Sequence, residues 1–276
     1  HTDHVELGMI HYVDACDEFR AIMNGPFIAY VRELLAAGKI GHVGLSTHNP
    51  EVALLACDEP EIEVVMFSLN PAFDMLPASE DINDLFGDYE NVAGDGIEPV
   101  RARLYAKAEQ TETALTVMKG YAGGRLLSAD ASPFGVALTP VQCIHYALTR
   151  PAVASVMVGV ETVEQLEEAL AYGDATAAER DYASVLAAAP KHAYLGQCTY
   201  CGHCAPCAVG INIALSNKFA DLAEMAGEVP ASVAAHYKAM DVTAGACIAC
   251  GDCEPRCPFD VPIIERMEKT EELFGC

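Results

Sequence analysis

Short apolar runs alternate with amphipathic segments from the start of the chain to about residue 189. Runs rich in β-branched residues are typical of buried strands, and apolar residues three and four apart are typical of helices packed on them. The alternation predicts parallel βα units, in part of an eight-stranded barrel or in a doubly wound sheet. The predicted strands are VELGMIHY, HVGLSTH, EVVMFSLN, TALTVMKGY and ASVMVGV, and the predicted helices are PFIAYVRELLAAGKI, a short helix after Pro50, PVRARLYAKAEQ, TPVQCIHYALTR and TVEQLEEALAY.

The pattern changes near residue 190, where cysteine-rich stretches flank two amphipathic segments. CTYCGHCAPCAVGINI begins at Cys198, and CIACGDCEPRCPFDVPI begins at Cys247 and repeats it with one insertion. Between them, INIALSNKFADLAEMAGEV and PASVAAHYKAMDV have helical spacing, and Pro230 opens the second segment. We expect residues 1–190 to form one domain and residues 191–276 to form a smaller helical one.

The cysteine spacing indicates two iron–sulfur motifs. Three thiolates two residues apart can surround one face of a cubane, and in two-cluster ferredoxins the fourth cysteine of each run serves the other cluster. The first run departs from the pattern, because Ala208 stands where proline follows the fourth cysteine of the second run. We assign one [4Fe–4S] cluster to Cys198, Cys201, Cys204 and Cys257, and a second to Cys247, Cys250, Cys253 and Cys207.

Two other uses of these cysteines are weaker interpretations. A zinc ribbon would need cysteine pairs rather than a third cysteine at the same step, and a disulfide framework would need a secretory context that the sequence does not indicate. The tail resembles the α-helical, two-cluster ferredoxin modules that are fused to redox enzymes. The other cysteines fit buried or incidental thiols: Cys16, Cys57, Cys143 and Cys276.

The chain is strongly acidic, with a net charge of −24 and a pI near 4.5. Such a surface would repel nucleic acid and anionic membranes, so neither is expected as a partner. No apolar run approaches the roughly 18 residues that span a bilayer. With eight cysteines used as ligands, we expect a protein of the reducing cytoplasm.

Six local motifs follow one another as they do in aldo-keto reductases. They are IHYVD, GKIGHVGLSTHNP, SLNPAF, VMKGYAGGRLL, TPVQCIHYALTRP and VMVGVETVEQLEEAL. The chain most resembles the bacterial subfamily with a C-terminal 4Fe-4S ferredoxin-type domain. The resemblance implies an α/β fold, a (β/α)8 TIM-type barrel of which strands 4 to 8 are present. The first three βα units, which carry the family's tyrosine, lysine and aspartate, are absent from this sequence.

The same resemblance implies positions for a site at the carboxyl ends of the strands. His11 matches the family's catalytic-site histidine, although a structural histidine at a strand end is the alternative. Lys119 and the glycines after it would suit an anionic group, although a tight turn also needs glycine. The expected cofactor-binding residues are Ser46, Asn70, Lys119, Gly123 and Gly124, and weaker candidates are His42, His48 and His145, the last expected to pack within its helix.

Several positions depart from the family's nicotinamide site. Glu161 replaces a basic residue that meets the 2′-phosphate, so NAD(P) is expected with NADP disfavoured, and flavin stays an open alternative. The other departures are Thr47 for asparagine, Met66 for glutamine, Leu69 for an aromatic residue and Ala169 for asparagine.

The segment from Asp74 to Glu98 carries eight carboxylates and no Lys or Arg. We interpret it as a solvated surface loop over the barrel mouth, with a lid or a docking face for a basic partner as the alternative.

Three functions follow from these features. The first is an oxidoreductase that reduces or oxidises a small carbonyl-type substrate in the barrel, with two clusters relaying electrons and a redox protein as partner. The second is a non-catalytic electron carrier or assembly module with a degenerate barrel. The third is an aldo-keto reductase whose clusters are structural, and the altered nicotinamide positions favour the first two.

Overall fold

Five parallel strands form one sheet in the computed structural model, which describes residues 2–87, 89, 96–191 and 194–276. Each strand pairs with the next along the chain, in the order β1-β2-β3-β4-β5. A doubly wound sheet would reverse its order at a switch point, whereas sequential order is that of a barrel wall. The predicted α/β fold with five consecutive barrel strands is confirmed. The strands are Val5–Ile10 (β1), Ile40–Thr47 (β2), Val64–Ser68 (β3), Ala114–Met118 (β4) and Val153–Val156 (β5).

A helix follows each strand, as the amphipathic pattern predicts. Four of these helices carry proline in the first turn, where its missing N–H is not needed. Two others, α1 and the short α7, were not predicted. The helices are Cys16–Met23 (α1), Pro26–Ala36 (α2), Pro50–Cys57 (α3), Pro99–Gln110 (α4), Pro140–Thr149 (α5), Val163–Leu170 (α6) and Ala183–Ala187 (α7).

The two faces of the sheet differ in their covering. Val65 and Phe67 on β3 are fully buried, and the guanidinium of Arg101 from α4 lies 5.1 Å from the Phe67 ring centroid. This face is therefore covered by helices. Since side chains alternate along a strand, half-buried Met66 and Thr116 face the opposite side, which is the interior side of a barrel.

The tail is helical, as predicted. Asn212 caps the first tail helix through a 3.2 Å bond from the Leu215 amide, and Gly227 ends it in the left-handed conformation that glycine adopts at low cost. The last helix was not predicted. The tail helices are Ile213–Ala226 (α8), Ala231–Lys238 (α9) and Ile263–Phe274 (α10).

The acidic segment between β3 and α4 is only partly the solvated loop that we expected. Asp74 is fully buried in a single 3-10 turn, and this corrects the expectation for that residue. Glu80, Asp81 and Asp84 are exposed around a second 3-10 turn at Ile82–Phe86. Three carboxylates of the predicted loop lie outside the described residues: Asp88, Glu90 and Asp95.

Within the described part of the chain, none of the helices combines the length and the apolar character needed to cross a bilayer.

Candidate functional site

Two cavities in the tail are each bordered by four cysteines. The structure thus brings together the two sets inferred from spacing, including the exchange of the fourth cysteine between runs. Cys198, Cys201, Cys204 and Cys257 line the first cavity, and Cys207, Cys247, Cys250 and Cys253 line the second.

The backbone of the two cysteine runs repeats as closely as their sequences do. Left-handed backbone occurs at three equivalent pairs of positions, which are Tyr200 with Ala249, Gly202 with Gly251, and Gly210 with Asp260. The non-glycine members adopt it at a cost of about 1 kcal/mol each, so the surrounding loop imposes the conformation. The amides of Gly210 and Asp260 donate to the carbonyls of Cys207 and Cys257, at 3.1 and 3.4 Å. The helices that follow begin at the equivalent residues Ile213 and Ile263.

The donor set fits clusters held by thiolates. Burial raises the pKa of Cys198 to about 12 and that of Cys204 to about 11, because a thiolate is poorly solvated there. A cationic core among four such sulfurs would offset that cost. Among the described residues, no three His, Cys, Asp or Glu side chains form a group that could hold a single metal ion, and the cysteines of each set line a cavity instead.

The first cavity lies against the barrel portion. Phe259 lines it, and the Phe259 ring meets the buried Tyr194 ring edge to face at 6.2 Å. The Tyr194 hydroxyl donates to the carbonyl of Pro71, just after β3. Thr199 also lines the cavity, and its carbonyl accepts from the Tyr182 hydroxyl at 2.6 Å and from Arg150.

The second cavity faces solvent. Cys250 is exposed, and Ile248 beside it has 63% of its surface exposed. The buried side chain of Ile263 lines both cavities and therefore lies between them.

At the barrel rim, His11 directly follows β1 and is exposed. The next residue, Tyr12, has a positive φ of 60°, and its amide donates to the Ser46 hydroxyl at 2.7 Å. Ser46 is buried, so its hydroxyl ties the ends of β1 and β2 together. Strained backbone at a strand end is a feature that functional sites often share.

His48, one of the weaker candidates, lies beside these residues and pairs with Asp14, which the sequence analysis did not single out. The Asp14 carboxylate accepts from the Thr47 hydroxyl at 2.9 Å and the His48 amide at 2.7 Å, and its other oxygen lies 2.9 Å from His48 Nδ1. Burial opposes the charge on Asp14, but the contacts with His48 outweigh it and lower the Asp14 pKa. A proton on Nδ1 leaves Nε2 of His48 as the acceptor nitrogen. The available signal was an aspartate ending IHYVD, directly after a strand.

The expected cofactor residues are held mainly by backbone contacts. Asn70 is fully buried and donates to the carbonyl of Lys119 at 2.9 Å, while its side-chain oxygen accepts the amides of Ala72 and Phe73 at 2.9 Å. Lys119 is exposed at the end of β4 with a φ of 59°.

The glycine-rich turn follows Lys119. Gly123 and Gly124 have φ values of 67° and 88°, which suits the tight turn named as the alternative. The amides of Ala122, Gly124 and Arg125 are bonded to carbonyls within the turn.

The remaining sequence candidates lie apart from the rim or pack internally. His42 is on the first half of β2 and pairs with Glu63 at 2.9 Å, away from the carboxyl end of the strand. His145 packs against the Tyr172 and Tyr182 rings at 6.0 and 5.8 Å, and burial lowers its pKa. Of the departures from the nicotinamide pattern, Leu69 is fully buried and Glu161 is exposed.

A buried polar network joins the barrel portion to the tail. The Asp74 carboxylate accepts from the hydroxyls of Tyr105 on α4 and of Tyr146 on α5, the latter at 2.7 Å. Burial raises the pKa of Asp74, and the charges of Arg101 and Arg150 and the two hydroxyls oppose that rise. Arg150 also donates to the carbonyl of Thr199 at the first cavity. The Asp74 carboxylate therefore lies between the barrel helices and a residue that contacts the tail.

Comparisons with known proteins divide the chain in the same way. Residues 1–189 match the model of the aldo/keto reductase family, and residues 197–262 match the model of a 4Fe-4S dicluster domain. A search of curated proteins found no match.

Similar solved structures include aldo-keto reductase AKR11C1 from Bacillus halodurans, with 17% identity, a TM-score of 0.44, and coverage of 65% of this chain and 60% of that one. A candidate aldo-keto reductase from Pseudomonas aeruginosa has 21% identity, a TM-score of 0.40, and coverage of 62% and 52%. The chain therefore spans less than two thirds of the length of these structures.

Proposed function

The chain belongs to the aldo/keto reductase family, and we propose that it is an iron–sulfur oxidoreductase whose barrel portion acts on a small carbonyl-type substrate. The observation that carries this proposal is the arrangement of eight cysteines in two crossed sets of four beside a barrel of that family. We place the boundary between the two domains at residues 190 and 191.

In this proposal the tail holds two [4Fe–4S] clusters, on the two cysteine sets described above. When bound, such clusters supply one-electron transfer, whereas a nicotinamide moves two electrons with its hydride. The first set lies beside the barrel portion and the second faces solvent. This order suits the exchange of electrons between a redox protein at the second cavity and a site in the barrel.

The barrel residues proposed to act on substrate are at the carboxyl ends of β1 and β2. His11 is exposed there and can donate a hydrogen bond that polarises a carbonyl. His48, oriented by Asp14, lies close by, with the Tyr12 ring 5.5 Å from its ring. NAD remains the favoured nicotinamide, because Glu161 would repel the 2′-phosphate of NADP.

A non-catalytic electron carrier is the second candidate. The contacts of the residues expected to bind a nicotinamide favour it. The Ser46 hydroxyl and the Asn70 amide are both engaged with backbone, and Leu69 lacks the aromatic ring that would stack on a nicotinamide. A barrel retained as scaffold would show these features.

Anaerobic titration of the cluster-loaded protein with NADH, and then with NADPH, distinguishes the two. Loss of cluster absorbance with either nucleotide, together with EPR signals of two interacting reduced clusters, supports the oxidoreductase. Reduction by dithionite or reduced ferredoxin alone would overturn nicotinamide-linked chemistry, and it would support the carrier if a carbonyl substrate then failed to reoxidise the clusters. Absence of cluster iron and sulfide after reconstitution would overturn both.

A further inference from the structure

The buried charges between the barrel portion and the tail do not balance. Arg101 and Arg150 are almost completely buried, and the buried Asp74 carboxylate lies within electrostatic reach of both without forming a salt bridge to either. Arg101 is directed to the barrel side, where it donates to the carbonyls of Leu76 at 3.0 Å and Ser68 at 3.2 Å. Two buried guanidinium groups thus face one buried carboxylate, which leaves surplus positive charge in a chain whose net charge is −24.

Arg150 brings that charge to the first cavity. It ends α5, and its Nη2 donates to the carbonyl of Thr199, which lies between two cysteines of the first set. Its guanidinium lies 4.5 Å from the ring centroid of Tyr146 and 4.9 Å from that of Tyr200. Its Nε and Nη1 have no hydrogen-bond partner among the described residues. The charge is therefore fixed in place and incompletely compensated.

The other charges near the cavities are arranged differently. Arg266 is neutralised by a salt bridge to Asp221. Arg256 donates to the carbonyls of Cys204 and Pro206, both at 2.9 Å, and also lines the second cavity, so it is close to both cysteine sets. The second cavity has in addition the exposed carboxylate of Asp252. His203, which lines the first cavity, pairs with Asp181 at 3.1 Å. Arg150 is thus the buried cation beside the first cavity that has no salt-bridge partner among the described residues, whereas the carboxylate of Asp252 opposes added negative charge at the second.

We propose that Arg150 raises the reduction potential of the cluster at the first cavity above that of the cluster at the second. This inference rests on the proposed binding of clusters by both cysteine sets. Four thiolates give a cluster net negative charge, and its reduction adds one electron without breaking a bond. A buried cation beside the cluster stabilises that added charge, whereas a carboxylate opposes it. The resulting difference in potential favours electron movement from the solvent side toward the barrel.

Anaerobic potentiometric titration of the reconstituted full chain with dithionite, followed by EPR, tests this proposal. Arg150→Gln removes the charge but keeps an amide donor, and we expect it to lower the higher midpoint potential. The ratio of reduced to oxidised cluster at fixed potential should fall about tenfold, which is about 59 mV for one electron. Arg150→Lys keeps the charge and should retain the wild-type midpoint. Arg101→Gln is the matched control, because Arg101 is also buried within electrostatic reach of Asp74 but does not contact Thr199, and it should shift neither midpoint.

Asp252→Asn tests independently whether the lower midpoint potential belongs to the cluster at the second cavity, and it removes no cluster ligand. It should raise the lower midpoint potential by a smaller amount, since the Asp252 carboxylate is exposed and screened. A shift of the higher midpoint by Asp252→Asn would overturn the proposal. Equal shifts in Arg150→Gln and Arg150→Lys, or unchanged midpoints in Arg150→Gln, would also overturn it. Iron and sulfide analysis separates these results from failure of the proposed function, in which the wild-type protein would hold no clusters.

Discussion

Replacing Asp74 by alanine should destabilise the protein strongly, although Asp74 lies in a segment whose composition is that of a solvated loop. The Asp74 carboxylate is the acceptor for the hydroxyls of Tyr105 and Tyr146, all within the fully buried network. A buried hydroxyl left without a partner costs about 1–3 kcal/mol, so the two together give a central expectation of about 4 kcal/mol. Loss of the one buried carboxylate within electrostatic reach of two buried guanidinium groups acts in the same direction.

The assay is urea unfolding of the cluster-loaded protein under anaerobic conditions, followed by circular dichroism. Asp74→Asn is the informative companion, because its amide oxygen can still accept one hydroxyl, and it should lose about half as much stability. Glu80→Ala, in the same acidic segment but exposed, is the control and should change the free energy of unfolding by less than about 0.5 kcal/mol. A loss below about 1 kcal/mol in Asp74→Ala would refute the view that this network joins the two parts of the chain.

Three further changes test the cysteine sets and the barrel rim. Cys250→Ser should remove at least about half of the bound iron, while the exposed Cys276→Ser should remove none; equal iron in both variants would contradict the assignment. His11→Ala should lower turnover of a carbonyl substrate by roughly 10²-fold with unchanged iron content, and unchanged turnover would remove His11 from the site. Asp14→Asn should be less stable than wild type at about pH 5, where the Asp14 carboxylate is ionised in both the folded and the unfolded state. The difference in the free energy of unfolding should shrink as pH falls below 3.8, the ordinary Asp pKa, toward the lower pKa of folded Asp14. Urea unfolding at several pH values measures this difference, and an increase over that range would contradict the prediction.

The sequence was most informative where chemistry depends on local spacing. The grouping of the cysteines required only two short runs and their repetition. Alternating periodicity predicted the parallel βα units, whereas the order of the strands followed from the resemblance to aldo-keto reductases. Helix α10 carried an overlooked signal, since buried Ile263, Met267 and Thr270 recur four and three residues apart.

Other features depend on side chains that meet only after folding. Asp14 and His48 are separated by 34 residues and meet because β1 and β2 are neighbours in the sheet. Asp74 looked like one of many surface carboxylates, because its burial depends on hydroxyls and guanidinium groups from α4 and α5. Separation along the chain also hid the role of Arg150, because its partner Thr199 lies 49 residues after it.

The exchange of the fourth cysteine between the two runs has a consequence for inheritance. A deletion that ended between the runs would leave one cavity with three cysteines and the other with a single one, so neither half of the tail would keep a complete set of four. If the two sets hold clusters as proposed, transfer of one run alone between proteins would separate each set from part of its ligands. A naturally shortened variant that retained one run would be expected to lose both four-cysteine sites together.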